Sequence, residues 1–533
     1  MRAKAMIRSW KGLGLVLGAG ACIVAASTAA AFERTAEGLV LVFGGRQEVP
    51  ILDPSQKYDW STRMLQQAMY DALVKYEGDP PEIKPWLAKR WEVSKDAKVW
   101  TFFLDERAKF HDGTPVDAEA VKYSFERTLQ IGKGPAWMLN SVLSAKGIEV
   151  VDAHTIRFRL DKSYAPFLSF TPWWYIMNPK EVRAHETGGD LGQAWMTMHT
   201  AGSGPFHIAR LEPGVLYHLA ANNEYWKGWP QEKHPAGVIY RLIRETASQR
   251  AALQRMDADI VEGLSSEDYT VVGKLPGIEV ENHPGMTTFG VKFNTQHGPM
   301  ADLNLRKAVA YAFDYDALIK IYNGEAKLED SPFPNAIKGH KTIASMPRRD
   351  LAKAKAFLAK SAHPNGGIEL EYVYVQGLEE ERQIGLVLID ALQPLNIKVK
   401  MVSMIWPNMV ARAEKVETSP DMIAVFTTPV ATDPDAVAFQ YHKESWGKYY
   451  GSHYLNDPEL MGMIEQGRTL ADWSSREPIY ARIQQRIVDL QPEIFGMLAN
   501  RRWARRDYVK GFKFSPVHFT GEVDLYRLNL EPK

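Results

Sequence analysis

Cysteine is nearly missing from this chain: of 533 residues one is a cysteine, Cys22, and it sits in a leader-like segment. A chain that loses that segment carries no disulfide, no thiolate zinc site and no cysteine nucleophile. An excess of charge of one sign is missing as well. The 64 Lys and Arg residues balance 64 Asp and Glu, which leaves no basic footprint for nucleic acid. The 14 histidines fall without H-E-x-x-H or H-x-H spacing, and no acidic series resembles a calcium loop, so no metal or other cofactor is expected. His442 and His453 are the two that fall near candidate site loops, where one could orient a metal chelate. The apolar run at the N-terminus is shorter than the ~20 residues of a membrane span.

What is present begins with a targeting pattern. Arg2, Lys4, Arg8 and Lys11 precede the apolar stretch from Leu13 to Val24, and Ala29-Ala30-Ala31 offers the small residues a signal peptidase needs. Cleavage before Phe32 is expected, giving a soluble periplasmic protein; acylation of Cys22 is the competing reading. The length and the 45% hydrophobic content imply large cores in two or more domains. Aromatic residues reach 11%, with 15 Trp, an excess that often lines pockets.

Residues 87–125 carry the most organised pattern. Trp91-Glu92-Val93 and Val99 to Leu104 are rich in β-branched and aromatic residues around the turn-like Ser94 to Lys98, which predicts a hairpin. His111-Asp112-Gly113-Thr114-Pro115 then turns the chain into a helix that Asp117 can cap and whose Val121, Phe125 and Leu129 share a face. This run resembles the signature of the family 5 solute-binding proteins of ABC importers, the group of the dipeptide-, oligopeptide- and nickel-binding proteins. Trp91, Ser94, Asp96, Thr101, Phe102, Leu104, Phe110 to Gly113, Pro115, Val121, Ser124 and Phe125 fit it; Asp105 stands where the family has a basic residue.

Further motifs follow in family order. Tyr70 to Val74 resembles the end of a first helix expected over Leu65 to Glu77, and Gly202-Ser203-Gly204-Pro205-Phe206, Glu212-Pro213-Gly214 and Asn222 to Trp226 come next. Ser203 lacks the spacing of a nucleophile elbow and reads as a turn residue. Leu305 to Asp314 matches a helix of the second lobe, with Asp314 as a cap. Strand Ile368 to Val375, helix Glu379 to Leu392 and strand Ile397 to Val402 form a crossover that predicts parallel pairing.

The resemblance implies an α/β, two-lobe periplasmic binding protein-like fold, type II, with an extra subdomain in the first lobe. Its divisions fall at 1–31 (signal peptide), 32–77 (lobe I), 78–201 (inserted subdomain), 202–284 (lobe I), 285–500 (lobe II) and 501–533 (return to lobe I). It implies a non-catalytic monomer that closes on a small-molecule ligand, peptide-like or another organic molecule, and delivers it to ABC permease subunits. A periplasmic hydrolase on the same scaffold, or a receptor for a metal chelate or an oligosaccharide, stays open. Arg46 and Glu48 follow the buried strand Leu39 to Phe43 and become ligand candidates, because strand exits face the crevice in open α/β sheets. The charged clamp of the peptide branch is not matched: Val430 or Thr428 stands where an Asp grips the α-amino group, and Gln376 lies near the expected Arg. Trp406, Phe426, Thr427, Thr428 and Trp446 are the remaining ligand candidates, a lining suited to a neutral or weakly polar ligand.

Overall fold

The computed structural model describes residues 34–35, 38–58, 60–518 and 522–531; the basic, apolar leader with Cys22 lies outside them. A sheet of 12 strands runs through the molecule, and its centre is the antiparallel pair Ile278–Phe293 and Glu493–Arg506. At 16 and 14 residues these strands are long enough to serve two lobes at once. Toward one edge, Met422–Thr427 pairs with Ile278–Phe293, and Ile368–Val375 and Ile397–Met404 continue in parallel. Toward the other lie Ile260–Val261, Gly38–Gly45 and Gly237–Leu242, then the antiparallel Leu216–Ala221 and Phe206–Glu212.

The central pair loses register between Pro284 and Thr288 and again between Phe289 and Gly290. Such bulges bend and twist a strand. Here they fall where the two lobes separate: Phe289, Val291 and Ile494 enter the core of one, with Tyr372, Leu388 and Leu392, while Trp503 enters the core of the other, with Phe43, Tyr70 and Tyr217.

The second lobe is built from the expected crossover. Helix Glu379–Leu392 buries Ile384, Leu388 and Leu392 against the parallel strands it connects, and Pro394 follows its end, where a helix cannot continue. The signature run supplies two strands, Ala88–Val93 and Val99–Leu104, of a four-stranded antiparallel sheet completed by Thr155–Arg159 and Ile148–Asp152. Helix Ala118–Ile131 lies on it, capped by the Asp117 side chain at the Ala120 N–H and closed by Gly132 at φ 66°. Phe125, fully buried, sits with its ring centroid 4.7 Å from Phe158 and 4.7 Å from Trp174.

One expected element is different. The first helix spans Trp60–Met69, and Leu73-Val74, read as its end, leads into the strand Val74–Glu77. Gly202 and Gly204 explain the break: their backbones press on Met69, and a Cβ on either would meet the Met69 backbone at 2.0 or 2.5 Å.

Candidate functional site

Several family-like motifs converge on one carboxylate. Asp71, 2% exposed, accepts hydrogen bonds from the Trp86 indole at 2.7 Å, the Tyr225 hydroxyl at 2.8 Å, the Ser203 hydroxyl at 2.9 Å and the Trp226 indole at 2.9 Å. Burial raises its carboxyl above the ordinary range, against the downward pull of the four donors. All four donors are occupied in holding Asp71, and Ser203 shares that carboxylate with three other donors. The cluster is a structural anchor of the first lobe.

The seam between the lobes lies elsewhere. The Trp173 indole N–H donates to the Val430 carbonyl at 2.7 Å, and the Thr432 amide donates to the Tyr76 hydroxyl at 3.3 Å. Tyr164 donates to Asp435 at 3.3 Å, and the Ala165 amide donates to the Arg468 carbonyl at 2.8 Å. Around them, Tyr164, Phe167 and Trp174 of the first lobe and Tyr441, Ile464 and Tyr480 of the second share one continuous apolar core.

Charged side chains collect beside that seam. The Arg63 guanidinium lies 3.5 Å from the centroid of Trp173 and pairs with Glu522 at 3.3 Å, both side chains sealed from solvent. Arg501 donates to the Thr287 hydroxyl, which in turn lies 2.7 Å from that of Thr428 in the second lobe. Burial lowers the Arg501 guanidinium to about 10, against the pull of Glu522 and Glu262. Glu262, at the exit of strand Ile260–Val261, accepts from the Arg46 amide at 3.1 Å. Burial raises its carboxyl to about 7, even with the Arg46 and Arg501 charges opposing the shift. Gly263 leaves the room that the Arg46 side chain occupies, since a Cβ there would fall 2.0 Å from its Cδ.

The residues singled out from sequence are not all brought together. Arg46 joins the Glu262 cluster, whereas Glu48 points to solvent with Arg244 at 3.4 Å. Thr428 reaches the Arg501 chain through Thr287, and the neighbouring Thr427 pairs with Thr288 at 2.8 Å. Phe426 lies on the opposite side of its strand, its ring 5.0 Å from Phe289 in the second-lobe core, because successive strand residues alternate. Trp406 starts helix Trp406–Arg412, 41% exposed, with its ring 5.1 Å from Tyr449. Trp446 donates to the Leu455 carbonyl at 3.3 Å and packs edge-on to Tyr454. Gln376, at the exit of strand Ile368–Val375, is exposed.

Arg63, Glu262, Arg501 and Glu522 were not legible as a group. They are spread over the whole chain with no shared motif, and the one local signal was a charged residue directly after a short apolar strand, as at Glu262.

No helix among the described residues is long and apolar enough to cross a membrane, and none of their His, Cys, Asp and Glu side chains form a group of three able to hold a metal ion. A family model described as "Bacterial extracellular solute-binding proteins, family 5 Middle" matches residues 82–449. The chain is 29% identical over 487 residues to the "Probable D,D-dipeptide-binding periplasmic protein DdpA" of Escherichia coli K12, covering 90% of this chain and 92% of that one. Among solved structures, HbpA2 of Haemophilus parasuis superposes with a TM-score of 0.80 at 23% identity, over 92% of this chain and 100% of that one. NikA of Brucella suis, in complex with Fe(III)-EDTA, does so at 0.78 and 22% identity, over 92% and 99%.

Proposed function

Because the chain belongs to the bacterial extracellular solute-binding proteins of family 5, we propose that it is the periplasmic receptor of an ABC importer whose cargo is a short, peptide-like molecule with a free carboxylate. The observation that supports this cargo is the gathering of arginine beside the seam: the charges of Arg46 and Arg501 act on Glu262, and Arg63 pairs with Glu522. With Glu262 raised to about 7, one of those acids is half neutralised near neutral pH. A carboxylate entering the cleft meets this arginine cluster, and charge-assisted hydrogen bonds to guanidinium groups contribute about 1.5–3 kcal/mol each. The first lobe thereby takes over the anchoring that Gln376 does not provide. The likeness to a probable D,D-dipeptide-binding protein favours a dipeptide-sized cargo.

The export pattern before Phe32 supports a periplasmic location, and delivery to a membrane permease follows from the family. Residues 285–500 form lobe II in this reading, and 78–201 a subdomain of lobe I. Binding needs no bond to be made or broken, so the receptor carries no catalytic group.

The test is calorimetry with free D,D- and L,L-dipeptides and their C-terminal amides, beside mass spectrometry of whatever a denaturing extract releases. Free acids should bind about 10- to 100-fold tighter than the amides. Equal affinity for acids and amides, or an extracted cargo without an acidic group, overturns the carboxylate reading.

A further inference from the structure

A second charged pocket opens in the other lobe, one residue along from the Thr287–Thr428 pair. Thr288 and Thr427, whose hydroxyls meet at 2.8 Å, form part of its wall, with Lys292, Glu329, Gln440 and Glu493. Glu493 is fully engaged: Lys292 donates to Oε2 at 3.1 Å and the Tyr441 hydroxyl to Oε1 at 2.5 Å. Glu329 is 4% exposed and lines the same pocket, and among the described residues no hydrogen bond reaches its carboxyl group. Two carboxyl groups thus face a pocket with one ammonium, and that ammonium is bonded to Glu493. A buried carboxyl that faces a pocket without a partner is costly to leave unmatched.

We propose that this pocket receives the amino group of the cargo, with Glu329 as counter-ion and the Thr288 and Thr427 hydroxyls and the Gln440 carbonyl as acceptors. This assignment rests on the peptide-like reading above, and it locates the anionic anchor that Val430 does not supply. The surroundings fit. Burial raises the Glu329 carboxyl well above the usual range, Glu493 and Asp330 raise it further, and Lys292 and Arg348 lower it. Glu329 therefore holds a proton until a cation arrives. Binding is then an exchange: the ammonium nitrogen settles against the carboxylate, and the carboxyl proton leaves to solvent. The Tyr441 phenol stays protonated, since burial and Glu493 raise it far above neutrality. His453, stacked 4.7 Å from that ring, is held neutral by burial and by Lys292, so neither competes as a proton source.

The experiment uses the full mature protein, a mixed library of free D and L dipeptides, and the same library N-acetylated. Wild type should retain free-amine members about 10- to 100-fold over acetylated ones, and Glu329→Gln should erase that preference. Titration of wild type in two buffers of different ionisation enthalpy should show about one proton released with free amines and none with acetylated members; this readout stands even if Glu329→Gln does not fold. Equal retention of both libraries, a preference that survives Glu329→Gln, or no proton release overturns the Glu329 assignment and leaves the peptide-like cargo standing. Retention of neither library overturns the cargo reading, and this assignment with it.

Discussion

Asp71 is a carboxylate whose worth lies in what it assembles. Its four donors lie up to 155 positions away from it along the chain, and each is the polar tip of a mostly buried residue. Removing the acceptor strands all four, so Asp71→Ala should cost about 3–5 kcal/mol by chemical denaturation. Ser203→Ala takes one donor away and leaves three; it should cost about 1 kcal/mol. If Ser203 were a nucleophile, activity and not stability would suffer. The motif residues around Tyr70, Ser203 and Tyr225 were legible in the sequence, but that they meet at one atom pair was not, because only the folded chain brings them together.

Glu262 gives the residue scale a pH signature. Its folded-state value of about 7 lies above the ordinary 4.5, so the folded chain binds this proton more tightly than the unfolded one. The contribution of the group is therefore most favourable below about 4.5, declines as pH rises through about 7, and is flat beyond. Glu262→Gln keeps a neutral side chain at every pH and should flatten that decline. Denaturant midpoints between pH 5 and 8 for the two proteins decide it: parallel curves would mean that burial does not raise the Glu262 carboxyl above its ordinary range.

At the scale of elements, periodicity served well wherever one face was buried. The hairpin Ala88–Val93 with Val99–Leu104, the helix Ala118–Ile131 and the crossover strands all follow from it. The expectation that failed, a helix over Leu65 to Glu77, came from the family resemblance and not from periodicity; the stretch changes from helix to strand. The cause is a distant pair of glycines, Gly202 and Gly204, packed on the Met69 backbone, and nothing local announces them. Phe426 shows how strand alternation divides neighbouring candidates: its ring packs on Phe289 at the second-lobe core while the Thr427 hydroxyl meets Thr288. Phe426→Ala should thus lower stability by about 2–4 kcal/mol and leave cargo affinity within about two-fold, as calorimetry on the folded variant can check. A large loss of affinity with little loss of stability would place Phe426 in the ligand lining.

For the whole molecule, closure of the two lobes on cargo is expected to turn on the two bulges in the central strands and the polar contacts across the seam. Cargo can shift the balance between open and closed forms only by its differential affinity for the closed form. Trp173 is the contact to probe, because its indole N–H reaches Val430 while its ring faces Arg63. Trp173→Phe keeps an aromatic face for the guanidinium and deletes the donor, leaving the Val430 carbonyl to water once the lobes part. Net, such a hydrogen bond contributes about 0.5–1.5 kcal/mol, enough to move the closed-to-open ratio of the unliganded protein about 2- to 12-fold toward open. Small-angle scattering on protein stripped of cargo should show a larger radius of gyration for the variant, and saturating cargo should bring both proteins to the same smaller value. The apparent affinity of the variant should fall by up to the same factor, because closure then has to be driven from a less populated state. Identical radii in the stripped proteins, at equal concentration and demonstrated removal of cargo, would mean that the Trp173–Val430 bond does not report on closure and that the hinge is governed by the other seam contacts.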